Sequence, residues 1–534
     1  MHATLVLFGG HVVTAVPGAS PATAVAISGN RIVAVGSDVA VRPFVGPTTE
    51  TIDLRGRTVT PGFNDAHCHP LALGLSLREV DARTPPNRSI EDLVERIAER
   101  ASMQPPGTWI VARGYDQAHL AERRHPTCDD LDRATTQHPV LLVRACGHIG
   151  VANSLALQLA GIGSTTPDPP GGTIDRASDG TPTGVLRESA LHLVRAKLPE
   201  PTVAELADAL RRAGETFLRF GVTSVQEAGI RRAEEFLAYQ TLARDGRLPV
   251  RASLMILIDD LLETCRELGL RTGFGDSWLR IGPAKLFLDG SIGGRTARMS
   301  RPYLDRGTLG LWMDDPEAMK RKIVQAHLAG FQCCAHAIGD AAIELLLDAF
   351  EEALRRQPRA DHRHRIEHCS ILRPDLIDRI ARLGAVPIPG TTFLHDFQEV
   401  YLSGLGHERL WYAYALRTFL DRGIVAAASS DTPVCSPSAM LGIQTMVTRR
   451  NAAGHTLWPE ECIALEEAIR VYTANGAYAS FEEQKKGTLE PGKLADLAVL
   501  ETDLRSVAPA ELGRVSVDCT IVDGRIAYVR PGAV

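Results

Sequence analysis

The chain has 534 residues, 44% of them hydrophobic and 23% charged, with a formal net charge of −6. This is the balance of a globular protein with room for a core of about 250 residues and additions to it. It excludes a nucleic-acid binder, which would carry a basic face, and no run approaches the ~18 apolar residues of a membrane span.

The first residues, Met1 to Gly10, lack a basic start, and their apolar run breaks at Gly9, so they do not read as a signal peptide. The ten cysteines contain no CxxC. They read as reduced, mostly buried thiols of a cytoplasmic protein, which leaves the Asn87-Arg88-Ser89 sequon idle.

Residues 1–57 read as short strands separated by turns at Gly9-Gly10, Gly29-Asn30 and Gly56. Residues 481–534 repeat that texture, with a hairpin turn at Asp523-Gly524. One small β-sandwich domain built from both termini is expected. Between them, residues 58–480 alternate strand and helix, the pattern of a parallel sheet with helical crossovers. The first strand is expected at Thr58–Phe63. Residues 71–200, with a helix at Ser89–Met103 and strands at Trp109–Ala112 and Val140–Arg144, read as an inserted subdomain. Further strands are expected at 223–226, 251–258, 281–288, 331–335, 364–367, 385–388 and 424–429. Eight strand–helix units make an α/β fold of the (β/α)8 TIM-barrel type, with an insertion after the first barrel strand. No glycine-rich phosphate turn follows the first strand, so a doubly wound nucleotide fold is the weaker reading.

The polar exceptions fall at the strand ends, where barrel enzymes carry their chemistry. His67 and His69 stand two apart, so in an extended segment both face one side. Such a pair reads as a metal chelate or as two ordinary loop-end imidazoles. Lys285 sits inside an apolar strand, and His336, His368 and Asp431 end three others. Singly, each has an ordinary explanation: a rim lysine, a structural histidine, a helix cap. Together they place four imidazoles, an amine and a carboxylate on one face, and burying them without a metal would cost several kcal/mol each.

The segments Thr60-Pro-Gly-Phe-Asn-Asp-Ala-His-Cys-His, Lys285-Leu-Phe-Leu-Asp-Gly-Ser-Ile-Gly-Gly-Arg-Thr-Ala, Cys334-Ala-His-Ala-Ile-Gly-Asp, Arg365-Ile-Glu-His-Cys, Ser430-Asp-Thr-Pro-Val and Lys486-Gly-Thr-Leu-Glu-Pro-Gly-Lys resemble the amidohydrolase superfamily. More narrowly they resemble its branch containing N-substituted formamide deformylases. Further matches are His148-Ile-Gly-Val-Ala-Asn-Ser, Pro169-Pro-Gly-Gly and Gly184-Val-Leu-Arg-Glu in the insertion. The resemblance implies that His67 and His69 bind one divalent metal, zinc by default, and His336 and His368 a second. It implies that Lys285, carboxylated by CO2, bridges them, and that Asp431 is both ligand and general base. An ammonium would repel the cation, so a lysine at that place must be neutral or carbamylated. The implied reaction is hydrolysis of the amide-type C–N bond of a small molecule by metal-activated water, giving a carboxylate, formate if the likeness extends to substrate, and an amine.

Trp109, Tyr115 and His148 of the insertion are candidates for substrate contact, and Glu188 and Arg365 for orienting ligands. The glycine-rich stretch from Gly290 lacks the GxxxxGK[ST] spacing and reads as a flexible loop. Arg355–Arg365 reads as a solvated helix end. The resemblance makes a homodimer plausible. Two competing functions stay open: a mononuclear deaminase, which would not need Lys285, and a metal-free scaffold, which would show gaps in the donor set.

Overall fold

The computed structural model describes residues 2–145 and 147–533. They form two compact units, residues 75–205 and the remainder of the chain.

The larger unit is built on a parallel sheet of seven strands in sequence order: β1 (Phe63–Cys68), β2 (Val222–Ile230), β3 (Arg251–Leu257), β4 (Leu279–Phe287), β5 (Cys333–Ala337), β6 (Arg365–His368) and β7 (Val386–Ile388). These runs are buried almost throughout, as strands covered on both faces must be. The helices between them are amphipathic. The helix Val203–Arg219 buries Leu206, Leu210, Ala213 and Phe217, one face at a spacing of three to four. Residues 424–431 close the sheet into a barrel. Ala66 and Asp431 donate backbone bonds to Ala428 and His67 respectively, one joining each direction across β1. On the other side Ala427 and Ser429 donate to Pro387 and Pro389, and Thr391 donates to Ser429.

Residues 424–429 run where the eighth strand was expected, but they form no regular strand. The N–H groups of alternate residues of β7 should face them, and two of those positions are Pro387 and Pro389, which have none. Half of that ladder cannot form.

The expected first strand needs correction. Thr58–Pro61 belongs to a different sheet, paired antiparallel with Leu497–Leu500 and parallel with His11–Val12, and the barrel strand is the next segment, Phe63–Cys68. Gly62 makes the transfer: a Cβ there would lie 2.2 Å from Thr223 Oγ1, so only glycine lets the chain cross at that point. The strands of both termini form a four-stranded and a five-stranded sheet. Leu5, Leu7, Val25, Ile27, Val59, Leu497 and Ile521 share one apolar cluster between them. The closing hairpin turns at Asp523 and Gly524, both at positive φ, which matches the strand twist.

The smaller unit carries a six-stranded sheet in the order Gly172–Arg176, Pro182–Glu188, Ile149–Ala152, Val140–Arg144, Ile110–Tyr115, Val80–Asp81. Its helix Ile90–Ser102 starts at a capping box formed by Ser89 and Asp92.

Two other expectations change. The loop after β4 is anchored rather than loose. Asp289 accepts from the backbone of Arg298, Ile338 and Gly339, and the buried Arg295 donates to Asp305, Ser403 and the carbonyls of Ile292 and Val400. Of the basic stretch, Arg355 and Arg356 are solvated, but His362, Arg363, His364 and Arg365 are buried.

Candidate metal centre

Parallel pairing sets the strand ends side by side. Lys285 on β4 pairs with Cys334, His336 on β5 with Glu367, and Ala337 with His368 on β6. His67 lies in β1 and His69 just beyond it. The backbone bonds from Asp431 to His67 and from His69 to Thr432 lock the segment carrying Asp431 against the His67–His69 segment.

One donor set results. Ring nitrogens of His67 and His69 and a carboxylate oxygen of Asp431 lie within 4.8 Å of one another. Asp431 Oδ1 is 3.3 Å from His69 Nε2 and 3.6 Å from His67 Nε2. His368 is stacked near both other imidazoles, with ring centroids 4.7 Å from His67 and 4.5 Å from His336. It reaches that position because its backbone turns to φ 67°, out of the β6 path, where a non-glycine residue is uncommon; Asp431 does the same at φ 56°.

Hydrogen bonds assign the tautomers. His67 Nδ1 lies 2.5 Å from Glu367 Oε2, so it carries the hydrogen and Nε2 keeps the lone pair facing Asp431. His336 Nε2 lies 2.9 Å from the carbonyl of Gly290, so it must donate, and Nδ1 is left as the free donor atom toward a cation.

Burial lowers the tendency of His67 and His368 to take a proton, with Lys285 and the neighbouring imidazoles adding to it, and it brings His336 down to about 4. At His69 burial opposes the cation, but Asp431 and Glu227 outweigh it and raise the group to about 9. Burial also lowers the Lys285 ammonium.

Two buried atoms show what the cluster lacks. Lys285 Nζ and His368 Nδ1 have no hydrogen-bond partner. The lysine is wholly buried, its Nζ 4.9 Å from the Phe287 ring centroid. Unpartnered buried polar atoms cost on the order of 1–3 kcal/mol each. Imidazole nitrogens and carboxylate oxygens are the donors that zinc-type ions take, so the residues fit a divalent metal.

The candidates in the 75–205 unit stand apart from that cluster in kind. Tyr115 is fully buried in the unit's core, its hydroxyl 2.9 Å from His125 Nδ1. Trp109 packs half-buried against a second apolar cluster of the unit. His148 is exposed and pairs with Glu188 at 2.9 Å, so Glu188 orients His148 rather than a metal ligand. Arg365 donates to Glu367, which in turn holds His67.

Sequence reading missed three carboxylates. Glu367 holds His67. Glu227, at the end of β2, has Oε1 3.7 Å from His69 Nδ1 and accepts from Tyr239 and Leu71 through Oε2. Asp65 accepts from the backbone of Ser430 at 3.0 Å and its hydroxyl at 2.5 Å, stapling β1 to the Asp431 segment; its own burial lifts it to about 7. The available signal was a charged residue inside an apolar strand, the feature that singled out Lys285.

Imidazoles and a carboxylate converging at the C-terminal ends of the strands of a nearly closed parallel barrel form an arrangement that metal-dependent hydrolases use. The profile described as the amidohydrolase family matches residues 50–528, and the chain belongs to that family. It is 33% identical to an N-substituted formamide deformylase of Arthrobacter pascens over 96% of each chain. It is 32% identical to the protein LONG AFTER FAR-RED 3 of Arabidopsis thaliana over 95% of this chain and 88% of that one. Among solved structures, an uncharacterised metal-dependent hydrolase of Pyrococcus furiosus superposes with a TM-score of 0.78, at 31% identity, covering 95% of this chain and 99% of that one.

Proposed function

We propose that the protein is a divalent-metal-dependent amidohydrolase that cleaves an amide-type C–N bond of a small molecule, an N-substituted formamide or related N-acyl amine. The observation that carries this reading is the convergence of His67, His69 and Asp431 beside unpartnered Lys285 and His368. The deformylase relative of Arthrobacter pascens supports the substrate class.

In this reading His67, His69 and Asp431 hold one ion, and His336, through Nδ1, and His368 a second, with zinc the default. Lys285, if carboxylated by CO2, would offer an anionic ligand in place of an isolated buried amine. Ions held by these residues would supply an acidified water and polarise the substrate carbonyl. Asp431 would accept one proton of the attacking water and return it to the leaving nitrogen, so the bond breaks to a neutral amine and a carboxylic acid, which gives its remaining proton to solvent and leaves as the carboxylate.

The test joins metal analysis to product detection. Zinc-loaded protein given a panel of N-formyl and N-acyl amines should release carboxylate and free amine. Asp431→Asn should lower kcat by about 10²–10⁴ with the fold retained. Ammonia release without carboxylate would overturn the amide reading in favour of deamination, and an Asp431→Asn protein of full activity would remove the base.

A further inference from the structure

The His67 ring is held from behind by groups that touch no solvent. Glu367 Oε2 receives its Nδ1 hydrogen at 2.5 Å. The same carboxylate is gripped by one guanidinium, with Arg365 Nε 2.8 Å from Oε1 and Nη2 2.9 Å from Oε2. Arg365 then spends its remaining donors on two other strands, the carbonyl of Ala66 on β1 at 2.7 Å and the side chain of Gln226 on β2. Gln226 is itself fixed by donating to Asn64 and to the carbonyl of Gly476. All of these side chains are buried.

A buried ion pair is weak evidence for stability, since its desolvation often cancels its attraction and apolar residues of the same volume would serve. This pair has another consequence. An imidazole with no anchor on Nδ1 can exchange tautomers and rotate about its Cβ–Cγ bond. The other rings near His67 offer it no hydrogen bond at centroid distances of 4.7 and 5.6 Å. The carboxylate removes both freedoms, and the guanidinium fork removes the carboxylate's own. A planar, bidentate fork does this at fixed geometry, which a lysine could not.

We propose that Glu367, fixed by Arg365, is the positioning residue of the metal centre: it sets the tautomer and plane of His67 so that the Nε2 lone pair faces the cation position before any cation arrives. The inference rests on the metal-site reading above. It assigns Glu367 no contact with substrate or metal.

The test is zinc affinity, read by competition against a chromophoric chelator on purified metal-free protein, together with urea unfolding of the same samples. Glu367→Gln keeps the volume but offers one acceptor where two are needed. It should weaken zinc binding about 10–100-fold, the range for the loss of a ligand-orienting partner. Because Glu367→Gln leaves the Arg365 charge unpaired, the double variant Arg365→Met with Glu367→Gln removes that charge, and it carries the test if the single variant does not fold. It should show the same weakening. A purely structural role predicts lower unfolding midpoints with zinc affinity within about twofold of wild type, and that result overturns the proposal. Wild-type protein that takes up no zinc would overturn the metal-site reading as well, which separates the two failures.

Discussion

Lys285 is the residue whose surroundings make least sense in the metal-free state. It is fully buried, its Nζ has no partner, and its closest polar company is itself a set of metal-type donors. Replacing it with the similarly sized methionine removes one unpartnered buried polar atom, worth about 1–3 kcal/mol. Lys285→Met should therefore unfold at a higher urea midpoint than wild type when both are metal-free. It should also hold less metal when both are loaded, since the ligand proposed for that position is gone. A fall in metal-free stability would mean that the lysine has a structural partner. At this scale the sequence was legible wherever a polar residue interrupted an apolar strand end, as His67, His336, His368 and Asp431 do. Glu367 was passed over although it stands beside His368. Only the fold brings it to His67, three hundred positions away.

At the scale of elements, the opposite end of the barrel holds a second histidine cluster with no part in the metal centre. The N–H of Cys333 donates to His364 Nδ1 at 3.0 Å, so His364 Nε2 carries the hydrogen and donates to His327 Nδ1 at 2.9 Å. His327 Nε2 then donates to the carbonyl of Gln357, and His362, accepting from the N–H of His364, donates to that of Leu383. Every ring nitrogen of His327, His362 and His364 is used in the neutral form. An added proton on His364 Nδ1 would point at an N–H. Burial, then His362 and His327, then Arg359, hold His364 well below its ordinary value. Unfolded chain takes up a proton below about pH 6.5 that the folded protein refuses, so stability is intact above that pH and is lost as pH falls. In urea unfolding between pH 8 and 5, His364→Gln should flatten the acid slope by up to about 1.4 kcal/mol per pH unit. An unchanged slope would place the proton elsewhere. His362 and His364 lay in the stretch read as a solvated helix end, although a strand was expected from 364, because the run of Arg and His before it carries no apolar signal of burial. From apolar runs, the existence of six of the seven regular barrel strands was readable. Strand boundaries were not, since Gly62 and the Pro387 and Pro389 positions act through neighbours distant in sequence.

For the molecule as a whole, the two β-rich ends announced a shared domain by their texture, but nothing local said how it would join the barrel. One buried cation is central to the junction. Arg251, the first residue of β3, donates to Asp496 at 2.7 and 3.0 Å and to Asp523 at 2.8 Å, and lies over the Trp278 ring at 4.6 Å. Asp496 and Asp523 belong to the C-terminal strands and their hairpin turn, where Asp523 also donates its N–H to Asp496. A charged strand residue at the barrel's N-terminal face is thus paired by the domain that the chain's two ends complete. Removing one carboxylate leaves the guanidinium short of a counter-charge in a site closed to water, which costs about 3–5 kcal/mol. Asp496→Ala should lose that amount in urea unfolding. The metal centre, at the opposite ends of the strands, should keep wild-type zinc affinity in whatever fraction remains folded. The double variant Arg251→Met with Asp496→Ala should recover much of the loss, because it replaces an unpaired charge with an apolar chain of similar length. If the single variant were as stable as wild type, the pair would be a passenger at that junction.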